Sequence, residues 1–177
     1  MRLFARVTFD EVTVGDIADA AEMTPAAVYY HFAGKEQILL DGVRSFSDEF
    51  LAVARREVES AITIDVVISN LLEHIRKQRT SAVVFFVNSA GLNLALEAHR
   101  NAVRAELVEL FTVAVKRDQP KTSTAEAGVM GATLVSLLDV SATSLLGRDV
   151  AYRGIGSRRF ANSVTVLTRR IVGSVDA

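Results

Sequence analysis

Residues 13–32 read TVGDIADAAEMTPAAVYYHF, two short helical patterns set around a tight corner. In the first, Thr13 stands three residues before Asp16, the spacing at which a side chain and a backbone cap each other. Apolar Val14, Ile17, Ala18 and Ala21 follow at i, i+3, i+4 and i+7, so one face of this helix is expected to be buried. The second pattern opens at Thr24-Pro25, because a threonine oxygen satisfies orphan N–H groups and proline is tolerated at the first helical position. Only about eight residues remain before the next breaker, too few for a helix to persist alone, so tertiary contacts must hold it. Pro25, Val28 and Phe32 gather on one side of that helix, while Ala26, Ala27 and Tyr30 face the other way, flanked by Tyr29 and His31.

A face of small residues edged with aromatics has a use. Small side chains let a helix backbone approach base edges in a major groove, and hydroxyl, imidazole and ammonium groups at the flanks suit phosphate oxygens. The unit reads as a helix-turn-helix whose second helix enters DNA. The plainer alternative is that Tyr29 and Tyr30 are ordinary half-buried aromatics of a small helical domain.

The surrounding residues carry a family pattern. Arg2-Leu3-Phe4 ends a first helix, Thr13-Val14 with Asp16-Ile17-Ala18 opens the second, Val28-Tyr29-Tyr30-His31-Phe32 forms the third, and Lys35-Glu36 opens a long fourth. Together they resemble the N-terminal DNA-binding domain of TetR-family transcriptional regulators. The resemblance implies a head at 1–46 that contacts DNA through Thr13, Thr24, Pro25, Ala26, Ala27, Tyr29, Tyr30, His31 and Lys35. It implies a helical ligand-sensing and dimerisation domain at 47–177, a palindromic double-stranded operator, a homodimer, and release by a small apolar or amphipathic effector. Repression is the expected mode.

Two departures from the family stand out. Members usually carry a basic arm and a complete helix ahead of the Arg2-Leu3-Phe4 position, so the first helix here is expected to be incomplete. Glu22 occupies a turn position where the family usually has glycine; if its φ is positive, the cost is on the order of 1 kcal/mol. Across residues 1–46 the four cations Arg2, Arg6, Lys35 and Arg44 meet seven carboxylates, Asp10, Glu11, Asp16, Asp19, Glu22, Glu36 and Asp41, leaving a net charge of −3. DNA-binding heads are ordinarily basic, so weak or low-salt operator binding is expected. The alternative is a dimeric small-molecule-binding protein with weak or lost DNA binding.

Composition sets wider limits. A chain of 177 residues, half of them hydrophobic and without low-complexity tracts, can bury a substantial core. With no cysteine, no charged-then-apolar leader and no unbroken apolar run near the roughly 18 residues of a span, a cytoplasmic protein that does not engage membranes is expected. An all-helical enzyme is the competing class, and its constellations are missing: no HExxH pair, and histidines only at 31, 74 and 99. Gly154-Ile155-Gly156 is a bare GxG with no strand before it. No catalytic residue, metal or cofactor is expected. His74 reads as exposed or satisfied, and His99, near Arg100 and Arg104, as part of a solvated face.

The fold class is all-α, a three-helix helix-turn-helix head plus a helical ligand-binding and dimerisation body. Apolar periodicity predicts helices at 35–60, 64–79, 83–96, 97–117, 124–146 and 157–172, with loops at 118–122 and 147–156. The 124–146 helix is apolar or small nearly all round and should be buried on every side. A monomeric bundle with this helix at its centre is one solution; a two-fold four-helix interface through Val129, Ala132, Leu137, Val140, Phe160, Val164, Leu167 and Ile171 is the favoured one. Asn70, His74, Phe85, Phe86, Asn88 and Asn93 combine apolar wall with polar groups and are the candidate effector-binding set, although such aromatics also serve as plain core. Asp139, alone in an apolar helix, pairs with an arginine across the dimer or touches ligand.

Overall fold

A computed structural model describes residues 1–60, 63–147 and 157–173, and these are helical without strands. The head comprises α1 (Arg2–Arg6), α2 (Val14–Ala20) and α3 (Pro25–His31), followed by α4 (Lys35–Glu59). Phe4, Val12, Ala18 and Val28 are buried, and the Phe4 and Phe9 rings stack with centroids 6.0 Å apart. Ile17 is half-buried and Ala21, expected on the inner face, is exposed. Helix α4 buries Leu39, Val43, Phe46, Phe50, Ala54 and Val58 at three- and four-residue intervals, one continuous stripe that serves head and body alike. The 46/47 division proposed from sequence falls inside it.

The body begins with α5 (Ile64–Lys77), whose Val67, Ile68, Leu71, Leu72 and Ile75 point inward as the periodicity requires. The expected 83–96 helix is replaced by α6 (Arg79–Val83), which widens directly into a π-helical turn (Val84–Asn88) and then breaks. Helix α7 (Leu94–Asp118) starts there rather than at 97, because the Asn93 side chain accepts the Leu96 N–H at 2.9 Å and Gly91 adopts φ 72°.

Helix α8 (Thr124–Leu145) opens with the Ser123–Glu126 capping box. It crosses α7 closely at Gly131, where a Cβ would lie 3.0 Å from the Thr112 nitrogen and the Val108 carbonyl oxygen. Helix α9 (Ser157–Val172) packs on α5 and α8, and Arg169 Nε donates to the buried Asp65 carboxylate at 2.6 Å. The loop expected at 147–156, with its Gly154-Ile155-Gly156, lies outside the described residues apart from Gly147.

One subunit does not bury α8 on all sides: Val129 is 68% and Val140 50% exposed, and Ala132 is also open, a face that a single monomer leaves uncovered. By length and mean hydropathy (1.4) α8 is also long and apolar enough to cross a membrane, with a third of that window buried, although Glu126 and Asp139 interrupt its apolar run. Of the expected interface residues on α9, Leu167 is exposed beside Val166, while Phe160 and Ile171 pack partly against the subunit's own core. Leu137 of α8 does the same. Val164 is only 2% exposed, because it faces into the subunit.

Candidate nucleic-acid interface

Each head helix is held by local chemistry. Thr24 Oγ1 accepts the Ala27 N–H at 3.2 Å and Pro25 fills the first position of α3. Val28 anchors the helix from below. Above it, Ala26, Tyr29, Tyr30 and His31 are exposed and Ala27 is half-buried, with Tyr30 at 86% and its ring meeting that of His31 edge-on at 5.1 Å. This is the outward face the sequence predicted, small at its N-terminal end and aromatic at its C-terminal end. Met23 and Thr24 are exposed beside it.

The corner between α2 and α3 is a Schellman turn. The Met23 N–H bonds to the Ala18 carbonyl at 2.9 Å and the Glu22 N–H to the Asp19 carbonyl at 3.2 Å. That geometry places Glu22 at φ 56°, the left-handed region where glycine is at ease and other residues are strained. Among the described residues it is the non-glycine residue with positive φ.

Two residues expected on DNA are occupied elsewhere. Thr13 donates both its backbone N–H (2.8 Å) and its hydroxyl (2.6 Å) to the Asp16 carboxylate while accepting the Asp16 N–H at 3.1 Å. Its donors are consumed by the capping box, and the same bonds hold the Asp16 carboxyl below its ordinary value. Lys35 Nζ donates to the carbonyls of Phe9 (2.9 Å), Val12 (2.8 Å) and, at 3.4 Å, Asp10, and sits 4.4 Å from the Phe9 ring centre. An ammonium has three donors, so none is left for a phosphate. The Lys35 side chain instead clasps the turn between α1 and α2 to the start of α4. Of the residues expected on DNA, those without such bonds to the rest of the head are Pro25, Ala26, Ala27, Tyr29, Tyr30 and His31, with Thr24 capping α3.

The candidate effector residues are scattered by the same accounting. Asn70 Nδ2 donates to Glu57 at 2.7 Å, Asn93 caps α7, and Asn88 Nδ2 donates to the Phe4 carbonyl in the head at 2.7 Å. His74 is neither exposed nor satisfied: its ring lies against Phe46 and Phe50, and its Nε2 is buried without a hydrogen bond, 3.8 Å from the Glu49 carboxylate. Of the expected set, Phe85 and Phe86 line body cavities. One of about 240 Å³ is bounded by Phe86, Arg100, Asp139, Val140 and Thr143. A neighbour of about 260 Å³ shares Phe86, Arg100 and Asp139 and adds Phe85 and Arg104.

Arg100 and Arg104 were missed in the sequence, although their i, i+4 spacing on one helix across from the lone Asp139 was the available signal. Arg104 pairs with Asp139 within the subunit and donates to Ser136 Oγ at 2.7 Å. Burial raises the Asp139 carboxyl above its ordinary value despite the neighbouring Arg104 and Arg100. His99 also departs from its expected solvated setting. Its Nε2 lies 2.8 Å from Ser47 Oγ on α4, and burial, reinforced by Arg44 and opposed by Asp48, lowers its pKa. No group of three or more potential metal ligands is found among the described residues.

A two-helix corner that projects a short, capped, outward-facing third helix defines a helix-turn-helix DNA-binding protein. Residues 1–41 match the family described as bacterial regulatory proteins, tetR family. The whole chain is also similar to the HTH-type transcriptional repressor KstR2 of Rhodococcus jostii (strain RHA1), 28% identical over 172 residues that span 94% of this chain and 79% of that protein. The family match thus covers the head, and the likeness to the Rhodococcus repressor extends over most of the chain.

Proposed function

We propose that this chain is a ligand-responsive transcriptional repressor that binds a palindromic operator as a homodimer in the cytoplasm and is released by a small amphipathic effector. The observation that carries the reading is the exposed face of α3, from Thr24 to His31, standing clear of the buried Phe4, Val12, Ala18 and Val28. Repression is taken from the printed name of the similar Rhodococcus protein.

A two-fold dimer sets two α3 helices about 34 Å apart, one DNA turn, so each enters a major groove on the same side of the duplex. The open Val129, Ala132 and Val140 of α8 and Val166 and Leu167 of α9 support that pairing. The effector is assigned to the cavities around Phe86, Arg100 and Asp139, whose apolar walls and few polar groups suit such a molecule. Helix α4 is shared by the two cores, so an occupant that tilts it changes the spacing of the heads. By linkage, DNA then weakens effector binding by the same factor.

The test is selection of duplexes from a random pool, followed by titration of the selected site with wild type and with Ala26→Glu, which places a bulky anion on the groove-facing side. A palindrome bound by two subunits, with binding abolished in the variant, is the expected result. The net charge of −3 over 1–46, the strained Glu22 and the spent donors of Thr13 and Lys35 favour a second reading, a dimeric ligand-binding protein with weak or lost DNA binding. No enriched duplex at any salt concentration, from a dimer that still binds small molecules, would establish that reading instead.

A further inference from the structure

The turn that supplies the cavity's aromatic wall is also the part of the body that grips the head. Within the π-helical turn Val84–Asn88, Phe85 and Phe86 face the cavities. The Phe85 carbonyl accepts from the Arg100 guanidinium and from Ser89 Oγ (2.9 Å), and the guanidinium lies 5.2 Å from the Phe85 ring centre. One turn further, Asn88 donates to the Phe4 carbonyl of α1. Phe4 stacks on Phe9, and Phe9 is clasped by Lys35 at the start of α4. A continuous series of contacts thus links the cavity to the base of the head.

The two cavities, of about 240 and 260 Å³, meet at Phe86, Arg100 and Asp139. Each alone is below the roughly 300 Å³ at which small-molecule sites begin. An occupant larger than a fragment must therefore move part of the shared wall. Asp139 is paired with Arg104, and Phe86 is packed among Phe46, Phe50 and Phe85. Arg100 is the shared-wall residue with a long side chain, held by the Phe85 carbonyl, by Ser89 Oγ at 3.4 Å and by Glu97 at 3.6 Å, contacts that an occupant must displace to move it. Moving it removes a charged donor from the Phe85 carbonyl. A π-helical turn holds one residue more than an α-helical turn and has a nearby alternative hydrogen-bond register, so loss of an external donor biases it.

We propose that Arg100 and the π-helical turn form a relay in which Asn88 reports occupancy of the cavity to α1, a second route to the head beside the tilt of α4. The matching effector is an otherwise apolar molecule with one acceptor oxygen that takes over the Arg100 donors. This rests on the regulator reading for its purpose, but its mechanics are testable in the free protein.

Arg100→Met keeps the aliphatic stem and removes the donor, and Asn88→Leu removes the link to Phe4. Amide hydrogen exchange of residues 3–7 is expected to speed up about tenfold in each, with the double variant no faster than either single one. Arg100→Leu and Asn88→Asp serve as replacements if circular dichroism shows either first variant unfolded, with the same non-additivity expected. Exchange in α1 that ignores Arg100, or effects that simply add, would overturn the relay. Duplex selection with wild type separates the two claims. No operator with a working relay sinks the regulator reading, whereas tight operator binding with an indifferent α1 sinks the relay alone.

Discussion

Replacing Glu22 with glycine should make this protein more stable, contrary to the usual effect of putting glycine beside a helix. Glu22 sits at φ 56° in the Schellman turn that ends α2. A side chain in that region costs roughly 1–2 kcal/mol. Its carboxylate also lies just past the negative end of a helix, an arrangement unfavourable by about 0.3 kcal/mol when exposed. Against this, glycine gains conformational freedom in the unfolded chain, about 0.4–1 kcal/mol. The balance is a gain of about 0.3–1.9 kcal/mol, which at this chain length raises Tm by about 1–8 °C. Urea and thermal unfolding of wild type, Glu22→Gly, Glu22→Asn and Glu22→Ala separate the contributions. Alanine removes the charge and keeps the Cβ, so it should recover only the smaller, electrostatic part; asparagine, tolerant of this conformation, should fall between alanine and glycine. Alanine stabilising as much as glycine would refute the backbone-strain argument and leave charge as the whole effect.

Lys35→Met removes three bonds to the turn between α1 and α2 and should cost about 2 kcal/mol by denaturant unfolding. Its operator binding should keep the wild-type salt slope, whereas a slope lower by about 1 would mark Lys35 as a phosphate contact after all. Gly131→Ala forces a Cβ against backbone atoms of α7 and should destabilise by about 1–3 kcal/mol; unchanged stability would mean that the crossing gives way easily. The lowered pKa of His99 means that the folded state favours the neutral ring. Its stabilisation is complete above the ordinary value of 6.5 and is lost as pH falls below it, so His99→Gln should flatten the acid side of the stability profile below pH 6.5. Val140→Asp with Leu167→Asp charges two side chains exposed in the single subunit, and sedimentation should show a folded monomer in place of a dimer.

The head was legible because its signals are local. Thr13 with Asp16, Thr24 with Pro25, and the alternation of Val28 with exposed aromatics each act within one turn of chain, and the structure keeps every one of them. The strain at Glu22 is legible only through the family resemblance, which puts glycine at that turn position. Lys35 and Thr13 were misassigned for a different reason: a cation or hydroxyl near DNA looks the same in sequence whether its donors are free or spent, and the partners of Lys35 lie more than twenty residues away.

The body was legible only as helices. The break before α7 depends on Asn93 and Gly91, weak markers in a run of apolar residues that could equally continue a helix. The cavity was hidden because Arg100 and Asp139 become neighbours only when α7 and α8 cross, and that crossing depends on one missing side chain at Gly131. The asparagines that seemed to promise a binding site turned out to serve as a cap, a brace to Glu57 and a tie to the head.

Helix α4 carries buried side chains without interruption from Leu39 to Val58, and these belong to one apolar cluster that contains Phe4 and Val12 of the head together with Phe111 and Leu138 of the body. The two functional halves are therefore a single cooperative folding unit. Excising the first 46 residues would cut this rod in the middle and leave Phe46 facing water, so the fragment should not fold in isolation, and damage anywhere along the rod is felt at both ends.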